Sequence, residues 1–238
     1  MTNKLEDVFI YPYLKVSFEG EFSKYIDLVS PYGYAGPFCN NPSFFKFSED
    51  EFIKYAKTQN VVSEFVRYHF LYNRELQFSR IIKNEANRTI VAYNLSKSWD
   101  DIWSNDVVMN NRNYVRKLEK EGYKFEISDS PKDLSEFIEL YYQTMKHTNA
   151  SDFFYFKEQY FNQLFKALRN KVMFSRIVKD GITYSATIMF VSGSIVQLFL
   201  NCRNLKFPKI SATGPLYINT AKWAKEQGLK ILNIGGGN

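Results

Sequence analysis

Three strand-forming runs follow one another at hairpin distance in the second half of this chain, and few folds accommodate that. Val172 to Val178, Thr183 to Val191 and Ile195 to Asn201 are rich in β-branched and aromatic residues. Lys179-Asp180-Gly181 and Ser192-Gly193-Ser194 separate them, and glycine supplies the positive φ that short hairpin turns need. Strands joined so tightly pair antiparallel. Two helices are predicted before them. Over Asp133 to Lys146, the residues Leu134, Phe137, Ile138, Tyr141 and Met145 recur at offsets of three, four, seven and eleven, which lines one helical face. A second helix carries Tyr160, Phe161, Leu164, Phe165 and Leu168. After the strands come a helix over Thr213 to Gln227, stopped by Gly228, and a strand over Lys230 to Ile234. This order specifies an α+β fold around a mixed, mostly antiparallel sheet flanked by helices. A doubly wound nucleotide fold alternates strand and helix and is excluded.

The first half is less regular. Val8 to Val16 reads as extended, with Pro12 placing it at an edge or bend. Ser30-Pro31-Tyr32-Gly33-Tyr34-Ala35-Gly36-Pro37 must be an ordered loop, since Gly permits positive φ and Pro fixes φ. Ser48-Glu49-Asp50-Glu51 has capping-box form and predicts a helix over Glu49 to Thr58. Val61 to Tyr68 and Arg88 to Leu95 read as strands. A polar helical stretch runs from Ser98 to Gly122, with Asn105 as the expected N-cap and Gly122 as the stop. Tyr123 to Ile127 reads as a short strand. The resulting division is a partial first half over 1–97, a basic connecting helix region over 98–122 and a second domain over 123–238.

Composition narrows the class. The formal charge of +6 is compatible with phosphate-bearing partners without demanding them. Cys39 and Cys202 stand far apart, which excludes a disulfide scaffold and a cysteine zinc site and fits a reducing compartment. No apolar run approaches the roughly 18 residues of a membrane span, and Met1 to Asp7 lacks a signal-peptide hydrophobic region. The expectation is a cytoplasmic protein, with at most peripheral membrane contact. The 17 tyrosines and 22 phenylalanines fit either an aromatic-lined ligand groove or AT-rich codon usage.

The chain has no H-E-x-x-H, G-x-S-x-G or G-x-x-x-x-G-K-[ST] motif. His69 and His147 stand alone and read as structural. Acyl transfer to an amine needs none of these features. It needs a positioned amine, donors for the developing oxyanion and a route for one proton.

The element order is that of the Gcn5-related acyl-CoA N-acyltransferase fold, and several segments carry a closer resemblance. Arg112-Asn113-Tyr114-Val115-Arg116-Lys117-Leu118-Glu119-Lys120-Glu121-Gly122 resembles the basic helix of the Fem-type peptidyltransferase superfamily. Tyr141-Tyr142-Gln143-Thr144-Met145, the cluster Phe153-Phe154-Tyr155-Phe156, Trp223 to Gly228, the closing Ile234-Gly235-Gly236-Gly237 and the Ser30 to Pro37 loop are similar to it too. The matches fall in order over most of the chain. They imply a tandem pair of acyltransferase-like halves with a shortened first half, either a compact member or a fragment. They also imply an N-acyl or aminoacyl transferase acting on a cell-envelope precursor, peptidoglycan or surface glycan. Aminoacyl-tRNA is then the expected donor, with acyl-CoA as the alternative co-substrate, no tightly bound cofactor and no metal.

The resemblance also nominates residues. Arg112, Arg116 and Lys120 recur every four residues and would grip phosphate, or else form a solvated face paired with Glu119 and Glu121. Tyr32, Tyr34 and Gly36 would wrap a sugar or nucleotide, and Tyr142 and Tyr155 would line the acceptor groove. Asn201, at a strand end, and Ser211, before the next helix, lie where this fold receives its donor, and Tyr217 is the candidate proton donor. Coenzyme-A enzymes of the fold place a Gln/Arg-x-x-Gly-x-Gly/Ala loop before that helix to hold the pyrophosphate. Asn204 to Gly214 lacks the pattern, which counts towards another acyl donor. Two alternatives remain open: an acetyl-CoA-dependent sugar-amine N-acetyltransferase, and a non-catalytic binding protein with this fold.

Overall fold

The computed structural model describes residues 1–2, 6–71, 78–79, 83–86 and 89–236. The chain divides into two compact units, Met1–Asn87 and Arg88–Asn238.

In the first unit, β1 (Phe9–Ile10) breaks before Pro12 and β2 (Leu14–Ser17) follows, so the extended run is two strands with the proline between them. β3 (Ile26–Val29) pairs antiparallel with β2 and parallel with β5 (Val61–Phe65), and β4 (Phe38–Cys39) pairs with β1. Helix α1 spans Pro42–Thr58, about two turns longer than the capping box at Ser48 indicates. Asn41 is the actual cap: its side chain accepts the Ser43 N–H at 2.9 Å, and Pro42 occupies the first turn, where a missing N–H costs nothing. Ser48 and Glu49 are buried inside the helix instead. Phe9, Phe44, Phe45 and Phe78 form the core of this unit, with Cys39.

The second unit holds a six-stranded sheet of order β6-β11-β10-β9-β8-β7. β6 (Ile90–Asn94) pairs antiparallel with β11 (Ile231–Gly236), so a strand preceding the basic helix region belongs to this sheet. Arg88, where the sequence reading begins the first of these strands, and Gly237 of the closing glycine run lie outside the described residues. Next come a short helix α2 (Trp99–Asp101), a π-helical turn (Ile102–Asp106) and α3 (Met109–Lys120). Asn105 is not an N-cap. It sits in the π turn, where its Nδ2 donates to Asp101, while Ser98 caps α2 by accepting the Asp101 N–H. Gly122, at φ +86°, ends α3 as expected.

The remaining elements are β7 (Lys124–Ser128), α4 (Ser135–His147), α5 (Glu158–Leu168), β8 (Val172–Lys179), β9 (Ile182–Ser192), β10 (Ile195–Arg203) and α6 (Thr213–Glu226). Helices cover both faces of the sheet. One core joins α4 and α5 to Val172, Phe174, Ala186 and Ile188. On the opposite face, Val115 of α3 and Ile218, Ala221 and Ala224 of α6 pack with Met189, Val196 and Leu198. These pairings follow from the alternation of strand side chains between the two faces, broken only where a strand shifts register. Among the described residues no helix is long and apolar enough to cross a membrane.

Candidate active site

β10 and β11 run parallel and pair over Ile195 with Ile231, Val196 with Leu232 and Gln197 with Asn233, then part. β10 shifts register against β9 between Leu198 and Leu200, and β11 shifts against β6 between Asn233 and Gly235. Bulges bend strands and increase their twist, and here one lies in each strand just where they separate. Asn233, fully buried, pins the apex: its Nδ2 donates to Gln197 Oε1, and its Oδ1 accepts the Gly235 N–H at 2.9 Å.

The shift in β10 reverses which face its residues take. Val196 and Leu198 join the core beneath α6, whereas Leu200 and Cys202 join the core beneath α4 and α5. Asn201 is thereby turned to the α6 face. It pairs with Thr187, which pairs with Ser175, whose Oγ lies 3.3 Å from Thr220 Oγ1 of α6. Asn201 Oδ1 is buried and has no hydrogen-bond partner among the described residues. That condition is rare and costs about 1–3 kcal/mol. Tyr217 stands on α6 between two apolar clusters. Burial first, and then proximity to Cys202, push its phenol up to about 12, so it is a proton donor and not a base at neutral pH. Ser211 is exposed in the connection from β10 to α6, outside the buried polar row. Ser185 ties that connection to the sheet, donating to the Cys202 carbonyl at 3.0 Å and lying 3.3 Å from Thr213 Oγ1.

The three basic residues of α3 have different surroundings. Arg112 Nη1 donates to the carbonyls of Trp103, Ser104 and Val107 at 2.9, 2.8 and 2.6 Å, closing the π turn. Arg116 lies over the Trp103 ring, 5.5 Å from its centroid. Arg116 and Lys120 are exposed. On the other face of the sheet, Tyr142 donates to the Phe156 carbonyl at 2.6 Å and its ring meets Tyr155 at 6.0 Å, so the two proposed groove tyrosines adjoin. Tyr141 is core, and its hydroxyl bonds the Phe154 carbonyl. Thr144 links α4 to the far end of β10, accepting the Arg203 N–H at 3.3 Å.

Tyr32, Tyr34 and Gly36 belong to the first unit. The Ala35 N–H bonds the Arg67 carbonyl at 2.8 Å, and Gly36, at φ +104°, lies so close to Tyr68 that a Cβ would sit 3.0 Å from its ring. Tyr34 meets the rings of His69 and Phe70, each at 5.5 Å. Burial lowers the His69 pKa and favours the neutral ring. Burial raises the Tyr32 phenol, partly offset by the Arg67 charge.

Residues 107–238, over half the chain, match the family described as acetyltransferase (GNAT) domain. The chain belongs to that family. It is an acyltransferase of the GNAT fold, and the parted strands lie within the matched region. No curated protein matches the sequence. Among solved structures, L-PGS from Bacillus licheniformis aligns with 99% of this chain and 67% of its own at a TM-score of 0.66 and 17% identity. FemX aligns with 96% of this chain and 76% of its own, at 0.68 and 14%. The C-terminal domain of a protein designated lysylphosphatidylglycerol synthetase, from Agrobacterium fabrum, aligns with all of this chain and 70% of its own, at 0.67 and 12%. These likenesses extend the shared fold across both units.

Two features of this GNAT domain escaped the sequence reading. Gly214, in the first turn of α6, lies against the side-chain amide of Asn111 on α3. A glycine inside a helix is the available signal, though it does not name the partner. The clasp of Arg112 on the π turn had no signal, because π turns have no distinctive sequence pattern.

Proposed function

We propose that this acyltransferase moves an aminoacyl group from aminoacyl-tRNA to an amine of a cell-envelope precursor, a peptidoglycan or surface-glycan intermediate. The observation that carries the donor assignment is the placement of α3. Its exposed Arg116 and Lys120 belong to a helix packed beside α6, on the sheet face to which Asn201 and Tyr217 turn. A polyanionic carrier held on α3 would deliver its acyl end towards the parted strands. The FemX and L-PGS folds support the same class by their names.

In this reading the amine attacks the ester carbonyl, and the Asn201 amide stabilises the tetrahedral oxyanion. Collapse breaks the carbonyl–ribose bond. Tyr217 donates its proton to the departing ribose oxygen and regains one from the ammonium formed on the attacking nitrogen. Tyr142 and Tyr155 would line the acceptor path and Ser211 its mouth; the Tyr32–Gly36 loop, taken by itself within the first unit, would bind a sugar or nucleotide. In this reading the enzyme would work in the cytoplasm, in peripheral membrane contact where the acceptor is lipid-linked.

The family match favours a second reading, with acetyl-CoA as donor to a sugar amine. Binding of alanyl-tRNA and acetyl-CoA, measured side by side at low and physiological salt, separates the two. Salt-sensitive tRNA binding weakened by Arg116→Ala supports the first; acetyl-CoA binding alone supports the second. Binding of neither ligand points to a non-catalytic binding protein.

A further inference from the structure

We propose that Asn111 is a specificity-determining residue that closes the amino end of α6 to acyl donors carrying a diphosphate. The inference rests on the aminoacyl reading above and extends it to the residues that reject the rival donor.

An α-helix amino terminus holds diphosphate through the free N–H groups of its first turn. In α6 this capacity is reduced. Pro215 has no N–H, and the Ala212 N–H just before the helix is taken by the Ile210 carbonyl at 3.1 Å. The first turn therefore offers only the N–H groups of Thr213 and Gly214. No side chain caps the helix.

The space beside Gly214 is filled. A Cβ built on Gly214 would lie 2.7 Å from Asn111 Oδ1, 3.0 Å from its Cγ and 3.3 Å from its Nδ2, so the whole amide lies against the Gly214 backbone. Cα–Cβ bonds tilt towards a helix's amino end, so an amide in that place sits towards the open end of α6. The contact exists only because residue 214 is glycine, whose conformation here is ordinary helix and needs no positive φ. Close approach is the reason for the glycine. Asn111 reaches this position because α3 packs on α6 through Val115 and Leu118. A donor joined to its carrier by an ester, with no diphosphate near the acyl group, asks nothing of this turn.

The test is calorimetric titration of the full chain with acetyl-CoA, S-acetylpantetheine (which has no diphosphate) and alanyl-tRNA. Wild type is compared with Asn111→Ala, Pro215→Ala and the double variant. The double variant should bind acetyl-CoA at least about tenfold more tightly than wild type, roughly one charge-assisted hydrogen bond. Each single variant should show part of the gain, so they decide the matter should the double variant not fold. S-acetylpantetheine should gain nothing. An unchanged acetyl-CoA affinity, an equal gain for S-acetylpantetheine, or wild-type binding already as tight as that of the variants overturns the assignment. The tRNA arm reads the donor class separately: wild type that ignores alanyl-tRNA sinks the aminoacyl reading, while the acetyl-CoA series still decides the role of Asn111.

Discussion

Partial burial of Tyr217 pushes its phenol up to about 12, and this fixes the sign of two pH effects. Below pH 10 the side chain is protonated in both folded and unfolded chains and adds no pH dependence. Between 10 and 12 the unfolded chain loses the proton first, so the folded state loses stability as pH rises, at about 1.4 kcal/mol per unit. Tyr217→Phe should remove that alkaline loss in denaturant titrations from pH 9 to 12. The same variant should lower kcat by about 10²-fold with KM little changed, the share expected of a positioned proton donor. An unchanged kcat would leave Tyr217 as core. The basic residues separate in the same way. Arg112→Ala strips three carbonyls of a donor and should cost about 2 kcal/mol in chemical denaturation. Arg116→Ala loses only its contact with the Trp103 ring, about 0.5–1 kcal/mol, and should reduce the salt slope of tRNA binding by about 1. Spacing had placed Arg112 and Arg116 on one face. Which of them is engaged depends on a π turn that spacing does not encode.

At the scale of elements, what was legible was what local chemistry decides. The β8–β9 and β9–β10 hairpins were readable because Asp180-Gly181 and Gly193 carry their turns at positive φ. Helix α4 was readable because its apolar residues keep one period. The start of α1 was misread because two capping signals compete in one stretch. Ser48 has the better motif, but Asn41 precedes Pro42, and the apolar Phe44 and Phe45 extend the buried face back to it. The burial of Ser48 supplies a prediction. Its Oγ has no hydrogen-bond partner among the described residues, so Ser48→Ala should be neutral or stabilising by about 1 kcal/mol. Asn41→Ala, which removes the real cap, should destabilise by about 1 kcal/mol. Thermal melts of the two variants should move in opposite directions, or Ser48 should not move at all; a loss from Ser48→Ala matching that from Asn41→Ala would restore Ser48 as a capping residue.

Over the whole molecule, the sequence pattern conveys which elements exist but not which neighbours they take. β6 lies far from β11 in sequence, yet the two pair, and that pairing leaves β11 beside β10 only as far as the parting. No local period reports such a contact, because its register is set by the sheet as assembled. The consequence can be tested on fragments. Residues 88–238 contain all six strands of the sheet and helices on both faces. Leu95, Ile102, Val107 and Val115, all buried, complete the core beneath α6. A fragment of 88–238 should therefore fold alone, with one cooperative melting transition and dispersed amide signals. A fragment starting at 123 keeps β7 to β11 but loses β6, α3 and those four core residues. It leaves Ile218 and Leu216 facing water and one edge of β11 unpaired, a combination that favours aggregation over folding. Cooperative melting of the 123–238 fragment would show that β6 and α3 are additions to a domain complete without them. Melting of the 88–238 fragment alone would place the working unit's boundary before β6, with the basic helix inside it.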